Sequence, residues 1–254
     1  MEDKDLWVMK CLSCGFVFLS SHDFIIPRDI SYIVERVRCS EDDDERRFQT
    51  LKYDLAGIRV LDFGCGNGNF LLKTKKIANE VIGIEMDERF YSTFEKAKLK
   101  VFPDLKSASV QNMDIITMFH VLEHLPNPRN ILTELRDILK PGGKIIIEIP
   151  NSEDALSNLY KIKEYNTYMY WSFHLYYFNM QTLQTLVKQV GLKMNYIKQI
   201  QRYPLSNHLC WLSESLPNGH KKWNFLDSPE LHAAYESSLR SIGMCDTLLG
   251  SFQK

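Results

Sequence analysis

Apolar residues change their spacing several times along this chain, and each change predicts an element. From Ile58 the segment IRVLDF is almost continuously apolar and reads as a buried strand, NFLLKTKKIA as a helix, VIGIEM as a second strand and RFYSTFEKAKL as a second helix. MDIITMF then reads as a strand, PRNILTELRDILK as a helix ended by Pro-Gly-Gly, and KIIIEIP as another strand. Strands alternating with helices predict right-handed crossovers and a parallel sheet. Their near-continuous apolar content predicts strands covered on both faces.

Beyond Pro150 a helical stretch leads into the aromatic segment YMYWSFHLYYF, then a helix MQTLQTLVKQVG stopped by Gly191, and LKMNYIKQI as a strand. Residues 204–242 read as mainly helical and DTLLGSFQ as a last strand. Upstream, residues 11–34 alternate short apolar groups with turn residues. The charged run SEDDDERR, residues 40–47, reads as a solvated helix start or linker rather than a binding site. This pattern divides the chain into a small N-terminal cap (1–50), a core (51–200) and a C-terminal part (201–254) that holds a helical insertion and a final strand completing the sheet.

Composition narrows the partners. At 254 residues, 44% hydrophobic and 25% charged with a formal charge of −1, the chain lacks the basic excess that would neutralise phosphates along a duplex, so nucleic acid is not expected. The opening MEDKDLWVMK has no signal-peptide pattern, and no run approaches the ~20 apolar residues of a membrane span, so a cytoplasmic location is expected. In such a chain the six cysteines are expected as reduced thiols or metal ligands. Cys11 and Cys14, followed by Gly15, have the spacing of one zinc knuckle, but His22 and Cys39 do not form a second, so the pair is expected as free thiols on a turn and no metal is expected.

The candidate chemistry begins at VLDFGCGNGNF, residues 60–70, between a predicted strand and a predicted helix. A loop leaving the carboxyl end of a parallel strand lies where open α/β sheets bind ligands. Gly64, Gly66 and Gly68 let the backbone approach a ligand closely, and free N–H groups with the helix N-terminus favour a negative group such as a carboxylate. A dinucleotide fingerprint would put its third glycine at position 69, which is Asn69, so a pyrophosphate site is disfavoured. Glu85, ending the second strand, is placed to accept hydrogen bonds from both hydroxyls of a ribose.

VLDFGCGNGNF, VIGIEM, MDIITMFHVLEHLPNP and ILKPGGKIIIEIPN, in this order, resemble class I S-adenosylmethionine-dependent methyltransferases over residues 58–151. The resemblance implies a doubly wound α/β fold of Rossmann-like type, with seven mostly parallel strands and the last antiparallel. It implies S-adenosylmethionine as cofactor, its methionine part on the glycine loop, its ribose on Glu85 and its adenine against Met86. Phe119 and His120 would line the methionine end, and Asp62 would orient the loop through hydrogen bonding. Cys65 is read as filling a small buried space. HVLEH, residues 120–124, invites a metal reading, but the resemblance assigns His120 to the cofactor wall and Glu123 and His124 to helix-start structure.

For the acceptor, YWSFHLYYFNMQTL resembles a segment of sugar C- and O-methyltransferases of surface-polysaccharide and antibiotic pathways, which puts His174 at the catalytic base. Trp171 and Phe173 stand where the sugar C-methyltransferases carry tyrosine and glutamate, which counts against C-methylation. Tyr170, Trp171, Tyr176 and Tyr177 would exclude water and stack on a sugar face. MKCLSCGFVFL resembles the second half of those enzymes' N-terminal zinc module, whose first half is missing. QRYPLSNHLCWLSESLPNGHKKW resembles a segment of surface-glycan methyltransferases, with Arg202, His208 and His220 as further candidates. The expected reaction is methyl transfer to a small polar acceptor, a hydroxyl of a sugar or of a phosphate- or phosphoramidate-linked precursor in capsule or lipopolysaccharide synthesis. The alternatives are a nucleic-acid or protein methyltransferase, or a non-catalytic cofactor-binding protein.

Overall fold

Near-continuous burial along the central strands builds the core. The computed structural model describes residues 7–20, 30–170 and 173–254, with the backbone alone over 30–40. Among the described residues, ten strands form two sheets: β1 (Val8–Lys10), β2 (Val17–Leu19), β3 (Arg59–Phe63), β4 (Glu80–Ile84), β5 (Val101–Phe102), β6 (Met113–Phe119), β7 (Leu139–Pro150), β8 (Tyr176–Tyr177), β9 (Lys193–Ile200) and β10 (Thr247–Gln253). Leu61, Ile82, Ile116 and Ile147 belong to one buried cluster, and their neighbours Val60, Val81, Ile115 and Ile146 to another. Successive side chains point to opposite faces of a strand, so the sheet is covered on both sides.

The large sheet has seven strands in the order β5-β4-β3-β6-β7-β10-β9, and β10 runs antiparallel to both neighbours while β3 to β7 pair in parallel. This is the predicted doubly wound, mostly parallel architecture. The chain winds outward from β3 to β5 and then returns to start β6 on the other side of β3, so the strand order reverses between β3 and β6. The carboxyl ends of these two strands, Phe63 and Phe119, therefore open onto the switch-point crevice.

Local chemistry sets the helix ends. Asn127 caps the helix Pro128–Ile138 by accepting from Asn130 N–H, with Pro128 in the first turn. That helix stops before Lys140-Pro141-Gly142-Gly143, and these residues already belong to β7. Asn179 and Thr182 form a capping box on the helix Met180–Gln189. Between β9 and β10 lie the helices Leu205–Glu214, Gly219–Lys222 and Pro229–Ser241, the helical insertion.

Two features differ from the sequence pattern. SEDDDERR lies within a helix of 26 residues, Ile30–Leu55, which runs across position 50 and buries Leu51 and Leu55 against the sheet. The N-terminal hairpin, in turn, docks on the aromatic segment: β1, β2 and β8 form a small antiparallel sheet in which Val17 faces Tyr177 and Phe18 faces Tyr176. His22 and Trp171 lie outside the described residues, as does the side chain of Cys39.

Candidate active site

A cavity of about 610 Å³ opens at the carboxyl ends of β3 and β6, and its wall includes Gly64, Gly66, Phe119, His120, His174 and Arg202. The glycine loop forms one end. Gly64, Gly66 and Gly68 all have positive φ, at 76°, 56° and 80°. A Cβ on Gly64 would collide with Val121 and one on Gly68 would lie 2.9 Å from Leu99, whereas one on Gly66 would meet nothing within 4 Å. Gly64 and Gly68 are thus bare for close packing, and Gly66 is bare toward the cavity.

The loop's N–H groups are not free, contrary to the sequence expectation. Gly64 and Cys65 N–H both donate to the Ile84 carbonyl, Gly68 N–H donates to Cys65, and Gly66 N–H donates to Glu85 Oε2 at 2.7 Å. Glu85 Oε1 accepts from Asp87 N–H at 3.0 Å, so two backbone donors hold the carboxylate in one orientation. Met86, beside it, is 59% exposed. Burial pushes the Cys65 thiol far up, reinforced by Asp62 and Glu85, which makes it inert as a nucleophile and consistent with a space-filling role.

Asp62 reaches across the sheet. The register that sets Asp62 opposite Thr117 lets Thr117 Oγ1 donate to Asp62 Oδ1 at 2.6 Å. Burial pushes the carboxyl up to about 7, the Thr117 bond opposing and the nearby Asp44 adding to the rise.

At the other end, Phe119 stacks edge-on against Phe70 with centroids 4.9 Å apart, under the Arg47 guanidinium at 4.8 Å. His120 has a φ of +53°, a conformation rare for a side chain larger than glycine. Its Nδ1 lies 3.3 Å from Glu123 Oε1 and its Nε2 lies 3.4 Å from Glu148 Oε1. Glu148 is fully buried; burial alone would raise its pKa, but Arg47, His120 and Arg46 hold it well below the usual carboxylate range. Glu123, also buried, is held at about 2: the His120 imidazole and the adjacent His124 outweigh the effect of burial.

The structure brings His174 beside His124, with ring centroids 4.9 Å apart. Burial, with His124 adding, pushes the His174 imidazole down to about 3. Of the predicted aromatic wall, Trp171 lies outside the described residues and Tyr176 and Tyr177 pair with the hairpin strand β2. Tyr176 and Tyr177 hydroxyls donate to Pro126 and Met169 carbonyls, and Tyr176 stacks on Phe16 of the hairpin. Tyr165, Tyr168, Tyr203 and Trp211 line the cavity. Arg202 and His208 also line it, but Arg202 is ion-paired to Asp43, and His208 is tied to Gln201 and Tyr235. His220 faces Asn207.

The charged run is the largest omission of the sequence reading. Asp43, Asp44 and Arg47 line the cavity, and Arg46 and Arg47 both grip Glu148. A signal was present: Asp43 with Arg46 and Asp44 with Arg47 stand three residues apart, helical spacing for two ion pairs on one face. The N-terminal knuckle has no such company. Cys11 and Cys14 sit on the hairpin turn as free thiols, and among the described residues no third ligand joins them.

The chain belongs to the methyltransferase-domain family, whose match spans residues 37–197. The solved S-adenosylmethionine-dependent methyltransferase from Archaeoglobus fulgidus superposes with a TM-score of 0.62 over 89% of this chain and 100% of that one, at 22% identity. The chain is similar to a ubiquinone biosynthesis O-methyltransferase of Acinetobacter baylyi, 26% identical over 64% of this chain and 74% of the relative. The same-named enzyme of Xanthomonas oryzae is 28% identical over 42% of this chain and 49% of its own length, so the chain spans about half of that curated relative. The family match and the shared fold define a methyltransferase domain built like the S-adenosylmethionine-dependent enzyme of Archaeoglobus fulgidus. These relatives' names point to ubiquinone synthesis and not to sugars, and the zinc-module resemblance gains no support. No helix among the described residues is long and apolar enough to cross a membrane.

Proposed function

We propose that this methyltransferase alkylates a hydroxyl of a small, polar, polyol-like acceptor, a sugar or a phosphate- or phosphoramidate-linked glycan precursor. The observation that carries this reading is the wall of the cavity beyond His120: Asp154, Asn207, His220 and Asp246 supply hydrogen-bonding groups, and Tyr168 and Trp211 supply ring faces. Carboxylates and amides bond hydroxyls, and aromatic faces cover the apolar face of a sugar ring. A pathway in capsule or lipopolysaccharide synthesis rests on the segment resemblances alone.

In this proposal the open face of Gly66 carries the methionine part of the cofactor, with Gly64, Gly68 and Asp62 shaping the loop. Glu85 accepts from the ribose, the exposed Met86 covers the adenine, and Phe119 and His120 border the methionine end. The bound cofactor supplies the methyl group. His174 stays at the acceptor end, presenting a lone pair at neutral pH. Its pKa of about 3 suits that better than the general-base duty implied by the resemblance, since a base works best near the operating pH.

A second reading, a phenolic hydroxyl of a quinone precursor, is favoured by the names of the relatives. Methyl transfer from labelled S-adenosylmethionine, offered a panel of nucleotide sugars and glycan phosphates against short-chain polyprenyl catechols, separates the two. Turnover on the glycan compounds is expected; turnover on the catechols alone would overturn the first reading.

A further inference from the structure

Three side chains meet at the acceptor end in a way that the cofactor site does not use. One imidazole or carboxylate atom from each of Glu123, His124 and His174 lies within 4.8 Å of the other two. Ligand atoms on one tetrahedral ion with bonds of ~2.0–2.1 Å stand roughly 3.4 Å apart, so closure requires side-chain shifts of about an ångström.

The backbone builds this cluster. Leu175 N–H donates to the Glu123 carbonyl at 2.8 Å, and His124 Nδ1 lies 2.5 Å from the Phe173 carbonyl. His174 is therefore bracketed on both sides by bonds to the two residues it faces. A carbonyl can only accept, so His124 donates from Nδ1 to Phe173. A ring nitrogen held by a carbonyl while the other is left for an ion is the arrangement that orients metal-binding histidines.

Glu123 supplies the second, independent observation. The residue is 1% exposed, neither carboxylate oxygen has a well-formed hydrogen bond among the described residues, and the nearby His120 Nδ1 stands off at 3.3 Å. Burying a carboxylate in this way is costly unless a positive charge accompanies it. Glu123, His124 and His174 all line the cavity, so a fourth coordination position would face the space an acceptor enters.

We propose that Glu123, His124 and His174 form a binding site for a borderline divalent first-row cation such as Zn²⁺ or Co²⁺, with an open position toward the acceptor cavity. Two imidazoles and one carboxylate suit such an ion better than Mg²⁺ or Ca²⁺, which take oxygen ligands. The site adds to the helix-start role that the resemblance assigns to Glu123 and His124, and it stands whichever acceptor is methylated.

The test is metal binding by the full chain, stripped by chelator dialysis and titrated with Co²⁺. One equivalent should bind and be displaced by Zn²⁺. Glu123→Gln and His174→Gln should each weaken Co²⁺ binding at least about a hundredfold, because losing a ligand exceeds the 10–100-fold effect of losing an outer partner. Cys11→Ser with Cys14→Ser should leave it unchanged. X-ray absorption of the Zn²⁺-loaded wild-type protein provides a readout that requires no variant to fold: nitrogen and oxygen at ~2.0–2.1 Å with imidazole scattering are expected. Absence of stoichiometric binding, binding that survives both ligand substitutions, or a sulfur shell near ~2.3 Å would each overturn the site.

Discussion

Arg47 Nη2 closes on Glu148 Oε1 at 2.7 Å, joining the charged run of the long N-terminal helix to the interior strand β7. Both side chains are almost wholly buried, and Arg46 reaches the same carboxylate at 2.9 Å. The pair fixes the helix over the cavity and holds His120 from behind.

Removing the carboxylate charge leaves two guanidiniums facing each other in a buried place. Glu148→Gln should destabilise the fold by about 3–5 kcal/mol, the usual cost of breaking one side of a buried ion pair. Urea unfolding measures it, and a loss under about 1 kcal/mol would show that the arginines find water or other acids.

Asp62 makes a pH prediction of opposite sign to that of an ordinary salt-bridged acid. Its folded pKa of about 7 lies above the unfolded value of ~3.9, so the folded state binds the extra proton between these limits. Its contribution to stability is full below about pH 4 and falls as pH rises toward 7, by up to about 1.4 kcal/mol per unit. Asp62→Asn keeps an acceptor for Thr117 and should flatten the stability curve over that window; thermal unfolding from pH 4 to 7 checks it.

The glycine loop predicts separable effects on the cofactor. At Gly66 a side chain meets open space but strains a backbone at φ +56°, so Gly66→Val should fold and yet weaken S-adenosylmethionine binding by roughly tenfold or more. Glu85→Ala removes the acceptor for Gly66 N–H and, in the proposed site, for the ribose; calorimetry should find about 1–3 kcal/mol less binding energy.

Much of this was legible because the core pattern is local. MDIITMF is β6 to the residue, and the parallel pairing of β3 to β7 follows from strand and helix alternation. What failed depended on contacts distant in sequence. SEDDDERR reads as solvated because nothing within its own window shows Glu148, about a hundred residues away, waiting to receive two arginines. His124 and His174 are likewise fifty positions apart and meet only because a bond at Phe173 and another at Leu175 register the two segments. Tyr176 and Tyr177 pair with a hairpin from the N-terminal end of the chain, a contact that their own window does not show.

Tyr168 is the sharpest probe of the acceptor end. Its ring lies 5.5 Å from that of Trp211 on the cavity wall, yet the residue is 60% exposed, so the fold gains little from it. Trp211 would be a poorer choice, being 3% exposed and packed edge-on against Tyr165, where truncation would disturb folding and binding together. Tyr168→Ala should leave stability within about 0.5 kcal/mol of the parent and S-adenosylmethionine affinity unchanged. If the ring covers the acceptor, the acceptor KM should rise roughly 3–10-fold with kcat nearly preserved, the signature of binding lost equally from ground state and transition state. Steady-state kinetics with the acceptor identified from the panel reads this out. An unchanged KM would move the acceptor away from Tyr168 toward Asp154 and Asp246, and a fall in kcat alone would mean that the ring aligns the hydroxyl with the methyl group instead of holding the acceptor.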